Sequence, residues 1–186
     1  MPIPRNVQEP WRSFLSDLDR FVDHEVRLHC CGGFVLTTRH GLKRATADID
    51  VLSVVPHDDL QALSAIARQG SGLHKKHGVY FDFVTLASYQ DGYETRLTAM
   101  HSGLLRHIRL FALEAHDLAL TKLARNADRD RSDVEFLATA APLDVSVLRE
   151  RYVREMRPYL QRPEREDLTL ELWLEIIAEA QSRKPG

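Results

Sequence analysis

Apolar residues at Val7, Trp11, Phe14, Leu15, Leu18, Phe21 and Val22 recur every three to four positions and predict an amphipathic helix over 7–23. The period then changes. VRLHC (26–30) reads as a strand, Gly32-Gly33 interrupts it, and FVLTTRH (34–40) predicts a short helix that stops at Gly41. DIDVLSVV (48–55) is a second strand, closed by Pro56. HDDLQALSAIARQG (57–70) is a helix with Leu60, Leu63, Ile66 and Ala67 on one face. GVYFDFVTL (78–86) and RHIRLFAL (106–113) are further strands. Beyond them the spacing is helical, over roughly 115–127, 130–140, 145–160 and 168–182, with Pro142, Pro158 and Pro163 at the breaks. Alternating strands and helices followed by helices alone predict an α/β (α+β) fold. Residues 1–113 would form a mixed sheet flanked by helices, and 114–186 a helical region packed on it as one compact unit.

Bulk composition changes this picture little. Apolar residues make up 44% of the 186-residue chain and charged ones 28%, as in an ordinary globular protein. The net charge of −2 excludes a uniformly basic coat for nucleic acid, so contact with RNA or DNA needs a local patch. No apolar run approaches the roughly 20 residues that span a bilayer, and MPIPRNVQEPW lacks the apolar centre of a signal peptide; the expected address is the cytoplasm, with no membrane partner. The two cysteines, Cys30 and Cys31, are adjacent and read as small buried thiols. LHKKHG (73–78) reads as a solvated turn rather than a zinc site. Arg151, Arg154 and Arg157, with Arg149 before them, form a stripe open to two readings: a grip on nucleic-acid phosphates, or a solvated face neutralised by Glu150 and Glu155.

The chemistry concentrates in ATADIDVLSV (45–54). Side chains alternate along a strand, so Asp48 and Asp50 share one face with Leu52, while Ile49 and Val51 enter the core. Two carboxylates about 7 Å apart along the backbone repel each other, and a divalent cation relieves the repulsion. Asp82, between Phe81 and Phe83, shares its face with Tyr80. Placed beside the first strand, it would bring three carboxylates to one spot, the donor set of two-metal phosphoryl transfer. The plainer alternative is an acidic, solvated sheet face. Gly32-Gly33 stands where a strand ends and a helix begins, where free N–H groups and the helix dipole favour a phosphate.

CCGGFVLTTRHGLKRATADIDVL, together with VYFDFV, resembles the nucleotidyltransferase superfamily of the DNA polymerase β type. The likeness rests on a Gly-Gly turn, a spacer, an acid-x-acid strand and a later third acid, within about residues 26–86. It implies a nucleotidyltransferase-type sheet, metal binding by Asp48, Asp50 and Asp82, deprotonation of the acceptor hydroxyl by Asp82, and a triphosphate held at Gly32 and Gly33. It also implies two Mg²⁺ ions with a nucleoside triphosphate such as ATP. AHDLALTKLARNADRDRSDVEFLA (115–138) is similar to a segment of minimal nucleotidyltransferases and AbiEii-like toxins. That likeness implies that Lys122 approaches the triphosphate and that Asp130 and Asp133 hold the second helix in place. Physically, Lys122 stands on a helix otherwise filled by Leu118, Ala119 and Leu123, and it is open between a triphosphate-binding ammonium and an ordinary solvated lysine. Arg44 and Thr46, just ahead of the acidic strand, either touch nucleotide or acceptor or, for Arg44, balance the acids.

The expected activity is transfer of a nucleoside monophosphate from an NTP to a hydroxyl of RNA, tRNA or protein, with an antitoxin protein as a partner. The alternatives are a non-catalytic nucleotide-binding or interaction module that keeps the fold, and an antitoxin or chaperone-like protein. The sequence leaves the oligomeric state open. It contains no G-x-S-x-G elbow, no G-x-G-x-x-G and no G-x-x-x-x-G-K-[ST], which removes hydrolase, Rossmann and P-loop readings of that kind.

Overall fold

The structure is a computed structural model, and it describes residues 7–84, 92–123 and 125–183. Two compact units emerge. One comprises the chain up to residue 84 with Leu97–Leu113, the other residues 92–96 and 114–183.

The first unit is a five-stranded mixed sheet with helices. Its elements are α1 (Trp11–Asp19), β1 (Val26–Cys30), α2 (Gly32–His40), β2 (Asp48–Val55), α3 (Asp59–Ala67), α4 (Gly72–His77), β3 (Tyr80–Phe83), β4 (Thr98–Met100) and β5 (Ile108–Ala112). The strand order is β3-β2-β1-β5-β4. β1 runs antiparallel to β2 and parallel to β5, β3 is parallel to β2, and β4 is antiparallel to β5.

One face of the sheet is the core. Val26, Leu28 and Cys30 of β1, Ile49, Val51 and Val54 of β2, Phe81 of β3 and Ile108 and Leu110 of β5 are all buried. The helices add Phe14, Leu15 and Leu18 from α1 and Phe34, Val35 and Leu36 from α2. Edge-on aromatic contacts join the layers, with Phe14 to Phe81 at 5.5 Å and Trp11 to Phe34 at 5.6 Å between ring centres. Asp19 ties α1 to the start of β5 by accepting the N–H groups of Arg106, His107 and Ile108 at 2.7, 2.9 and 2.7 Å. Burial opposes the charge on this carboxyl, but the three donors outweigh it and hold Asp19 below the usual carboxylate range.

Strict alternation along DIDVLSVV would send Ser53 into the core after Ile49 and Val51. The strand avoids this with a bulge: Cys30 pairs with Val51 and His29 with Ser53, so Leu52 is the extra residue and Val54 is the next side chain buried. The other differences from the sequence reading are local. The first helix spans 11–19 rather than 7–23, and the third strand spans 80–83, with 85 and 86 of its predicted range outside the described residues. LHKKHG is not a turn but most of α4. Ser71 caps it by accepting the N–H of His74, and His77 and Lys76 bind Asp17 of α1 at 2.8 and 2.6 Å. The three-residue strand β4 has too short an apolar pattern to be read in advance.

The second unit consists of a 3₁₀ turn (Tyr93–Arg96) and the helices α5 (Ala115–Leu123), α6 (Asp128–Ala140), α7 (Val145–Arg151) and α8 (Glu164–Ser182). The predicted helix over 145–160 is helical almost throughout, but its hydrogen-bonding changes. α7 gives way to a π-helical turn (Tyr152–Met156) and then a 3₁₀ turn (Arg157–Tyr159). That change of phase breaks up the arginine stripe. Arg149 binds Glu171, Arg154 binds Glu150, Arg157 binds Asp167, and Arg151 binds Glu114 and Asp117.

Charges are buried in this unit, and they are paired. Fully buried Asp117 accepts from Arg96 at 2.8 and 3.1 Å and from Arg151 at 3.0 Å. Glu114 binds His116 Nδ1 at 2.7 Å, while the Nε2 of that ring accepts the N–H of Asp144 at 2.8 Å. Burial opposes the charge on Glu114, yet His116 and Arg151 prevail and take its carboxyl from 4.5 down to about 2. A carboxyl lowered on folding stabilises the native state above its unfolded pKa, and that stabilisation is lost as pH falls through the folded value. Urea denaturation followed from pH 5 to pH 2 is therefore expected to show stability falling below about pH 4.5, with a shallower fall in Glu114→Gln.

Candidate active site

Parallel pairing of β2 with β3 sets Asp50 directly opposite Asp82 and Asp48 opposite Tyr80. All four lie on the sheet face away from the core, because the alternating neighbours Ile49, Val51 and Phe81 are buried. Carboxylate oxygens of Asp48, Asp50 and Asp82 lie within 4.8 Å of one another. Asp48 and Asp50 are half-buried and Asp82 is exposed, so the cluster is open to solvent from the β3 side.

The glycine bend is built around Asp50. The N–H of Cys31 donates to the Asp50 carbonyl at 3.0 Å, and the N–H of Gly33 donates to Asp50 Oδ2 at 3.2 Å. α2 has no side-chain cap and no acid in its first turn, so this carboxylate is the anion at its N-terminus. Gly32 has φ +64, and a Cβ there would fall 1.6 Å from Asp50 Oδ2. Gly33 is less tightly enclosed: its Cβ would meet Thr46 Oγ1 at 3.3 Å and Arg44 Nη2 at 3.5 Å. Thr46 in turn donates its hydroxyl to Asp48 Oδ1. Gly32, Gly33, Arg44, Thr46, Asp48, Asp50 and Asp82 are thus brought together in the first unit.

Tyr80 is the neighbour that sequence reasoning placed on this face without assigning it to the site. Its ring meets His74 edge-on at 5.0 Å. Burial first, and then the charges of Asp48, Asp82 and Asp50, push its phenol up. Cys30 lies beneath the site, where burial and the charge of Asp50 raise its thiol, so it is an inert core residue rather than a nucleophile.

Lys122 is in the second unit. Every residue of α5 is buried, and Lys122 Nζ donates to Asp133 Oδ2 at 2.7 Å and to Asp130 Oδ1 at 3.4 Å. Asp130 also accepts from Arg125 Nε at 2.8 Å and from the N–H of Ala127 at 2.9 Å, which caps α6.

Three mutually close, oxygen-only donors suit a hard divalent cation, which relieves their repulsion. Gly32→Ala is expected to displace the Asp50 carboxylate, because the new methyl occupies its place and the backbone stays left-handed. A displacement of about 1 Å at a reacting centre costs roughly a hundredfold in rate. Gly33→Ala should cost much less. Mg²⁺ titration of both variants, beside nucleotide-transfer assays, checks the contrast.

Comparison with curated proteins and with solved structures returned no match. A family model described as nucleotidyltransferase of unknown function (DUF6036) matches residues 14–181, and with that match over most of its length the chain belongs to this family.

Proposed function

We propose that the protein is a Mg²⁺-dependent enzyme that transfers a nucleoside monophosphate from an NTP to a hydroxyl group of RNA or protein. The observation that carries this reading is the meeting of Asp48, Asp50 and Asp82 beside a glycine bend flanked by Arg44 and Thr46. The three carboxylates would hold the metal, which when bound neutralises phosphate charge and makes the acceptor hydroxyl more acidic. Asp82, the most exposed acid, takes the hydroxyl proton. The acceptor oxygen then bonds to the α-phosphorus as the bond to pyrophosphate breaks, and pyrophosphate leaves. Arg44 and Thr46, beside the bend of Gly32 and Gly33 whose Gly33 N–H is held by Asp50, orient the triphosphate.

The likeness of residues 115–138 to AbiEii-like toxins supports a narrower reading, an enzyme held in check by a paired antitoxin protein. It also gives Lys122 a share in binding the triphosphate. The test is incubation with α-labelled NTPs and Mg²⁺, using total RNA and total protein as acceptors. Label should move to one acceptor class, stop on chelation and resume when Mg²⁺ is restored. Absence of both transfer and nucleotide binding with Mg²⁺ and Mn²⁺ would favour a non-catalytic module.

A further inference from the structure

The helical unit has an apolar ridge beside an apolar groove, and neither belongs to the chemistry above. Leu168 and Leu172, one turn apart on α8, are 65% and 52% exposed, and Val153 in the π-helical turn is 52% exposed. A groove runs past Val153 in two stretches of about 420 Å³ each, both lined by Val153 and Arg149. Val145 and Leu174 lie along one stretch, Leu168 and Leu170 along the other.

The rim is charged but balanced. Arg149 holds Glu171, Arg154 holds Glu150 and Arg157 holds Asp167, three cations against three anions. A polyanion gains little where each arginine already holds a carboxylate, and a polycation meets the same obstacle. The apolar floor and neutral rim therefore fit a protein surface of the same kind.

We propose that a second copy of this chain covers the patch in a two-fold contact. In such a contact one patch meets itself, so it must carry both knob and hole and both signs of charge. This patch carries all of them. A ridge leucine of one copy enters the groove of the other, and Glu150 and Arg154, with side chains 59% and 75% exposed, exchange partners across the axis.

Sedimentation equilibrium of the full chain, from sub-micromolar to about a hundred micromolar, tests the proposal. A monomer–dimer equilibrium is expected. Leu168→Glu should weaken it about a hundredfold, since both copies carry the substitution, with an unchanged far-ultraviolet spectrum. Arg154→Glu alone and Glu150→Arg alone should each weaken the dimer, and the double exchange should restore it. A chain that remains monomeric throughout, whether or not another protein binds the patch, overturns the proposal. So does a dimer that Leu168→Glu leaves intact. Neither result depends on nucleotide transfer.

Discussion

Asp82→Asn is expected to abolish nucleotide transfer while leaving the metal-free protein slightly more stable. The two effects have one cause. Carboxylate oxygens of Asp48, Asp50 and Asp82 approach within 4.8 Å of one another. At that separation two like charges repel by about 1 kcal/mol in water and about 3 kcal/mol at an effective dielectric constant of 20. Asp82 is exposed, which puts its share at the lower end. Asparagine keeps the shape and removes the charge, so thermal unfolding without metal should shift upward by a few degrees at most. The same change removes the proposed metal ligand and proton acceptor. If the metal supplies about 4 kcal/mol of transition-state stabilisation, transfer falls roughly a thousandfold. Asp50→Asn should lose transfer in the same way, but its metal-free stability should stay near that of the parent: its side-chain oxygen still accepts the N–H of Gly33, while relief of repulsion is offset by loss of the anion at the N-terminus of α2. Full activity in either variant, or a marked drop in metal-free stability, would dissociate the acids from the chemistry proposed for them. Calorimetry with and without Mg²⁺, beside the labelled-NTP assay, reads both effects.

The clustering of acids at the candidate site was legible because its information is local. Alternation alone puts Asp48 and Asp50 on one face, and a glycine pair at a strand–helix junction announces itself without tertiary knowledge. Asp82 required one further fact, that β3 lies beside β2 in a register opposing Asp82 to Asp50, and that depends on pairing between distant segments. The bulge at Leu52 was not legible for the same reason. It answers a conflict between Ser53 and the core that exists only once β1 has docked. α4 was missed because LHKKHG offers one apolar anchor, Leu73, and its order comes from a serine cap and from Asp17 far away in sequence. The arginine stripe was drawn on a continuous helix, and the π-helical turn after Arg151 removed that premise. Helix α5 defeats amphipathic reasoning altogether. It is buried on every side, so no polar face exists to place Lys122.

Lys122→Met should destabilise the fold strongly, by about 3–5 kcal/mol, because it removes the cation from a buried pair and leaves the acids behind. Lys122 is 3% exposed, Asp133 1% and Asp130 0%. Asp130 keeps Arg125 and the N–H of Ala127, while both acids lose the amine, whose 2.7 Å contact with Asp133 is the shorter of its two. A domain of this size has only about 5–15 kcal/mol in total, so the urea midpoint should drop sharply. Lys122→Met with Asp133→Leu replaces the pair by apolar groups of similar bulk and should recover much of the loss, since a buried ion pair is often no more stabilising than a well-packed apolar one. That double variant also separates stability from chemistry. A refolded protein with normal NTP affinity would confine Lys122 to holding α5 against α6. A refolded protein that has lost NTP affinity would support the part in triphosphate binding that the toxin-like segment suggests. Equilibrium unfolding establishes which variants are folded, and nucleotide titration of those alone decides between the two roles.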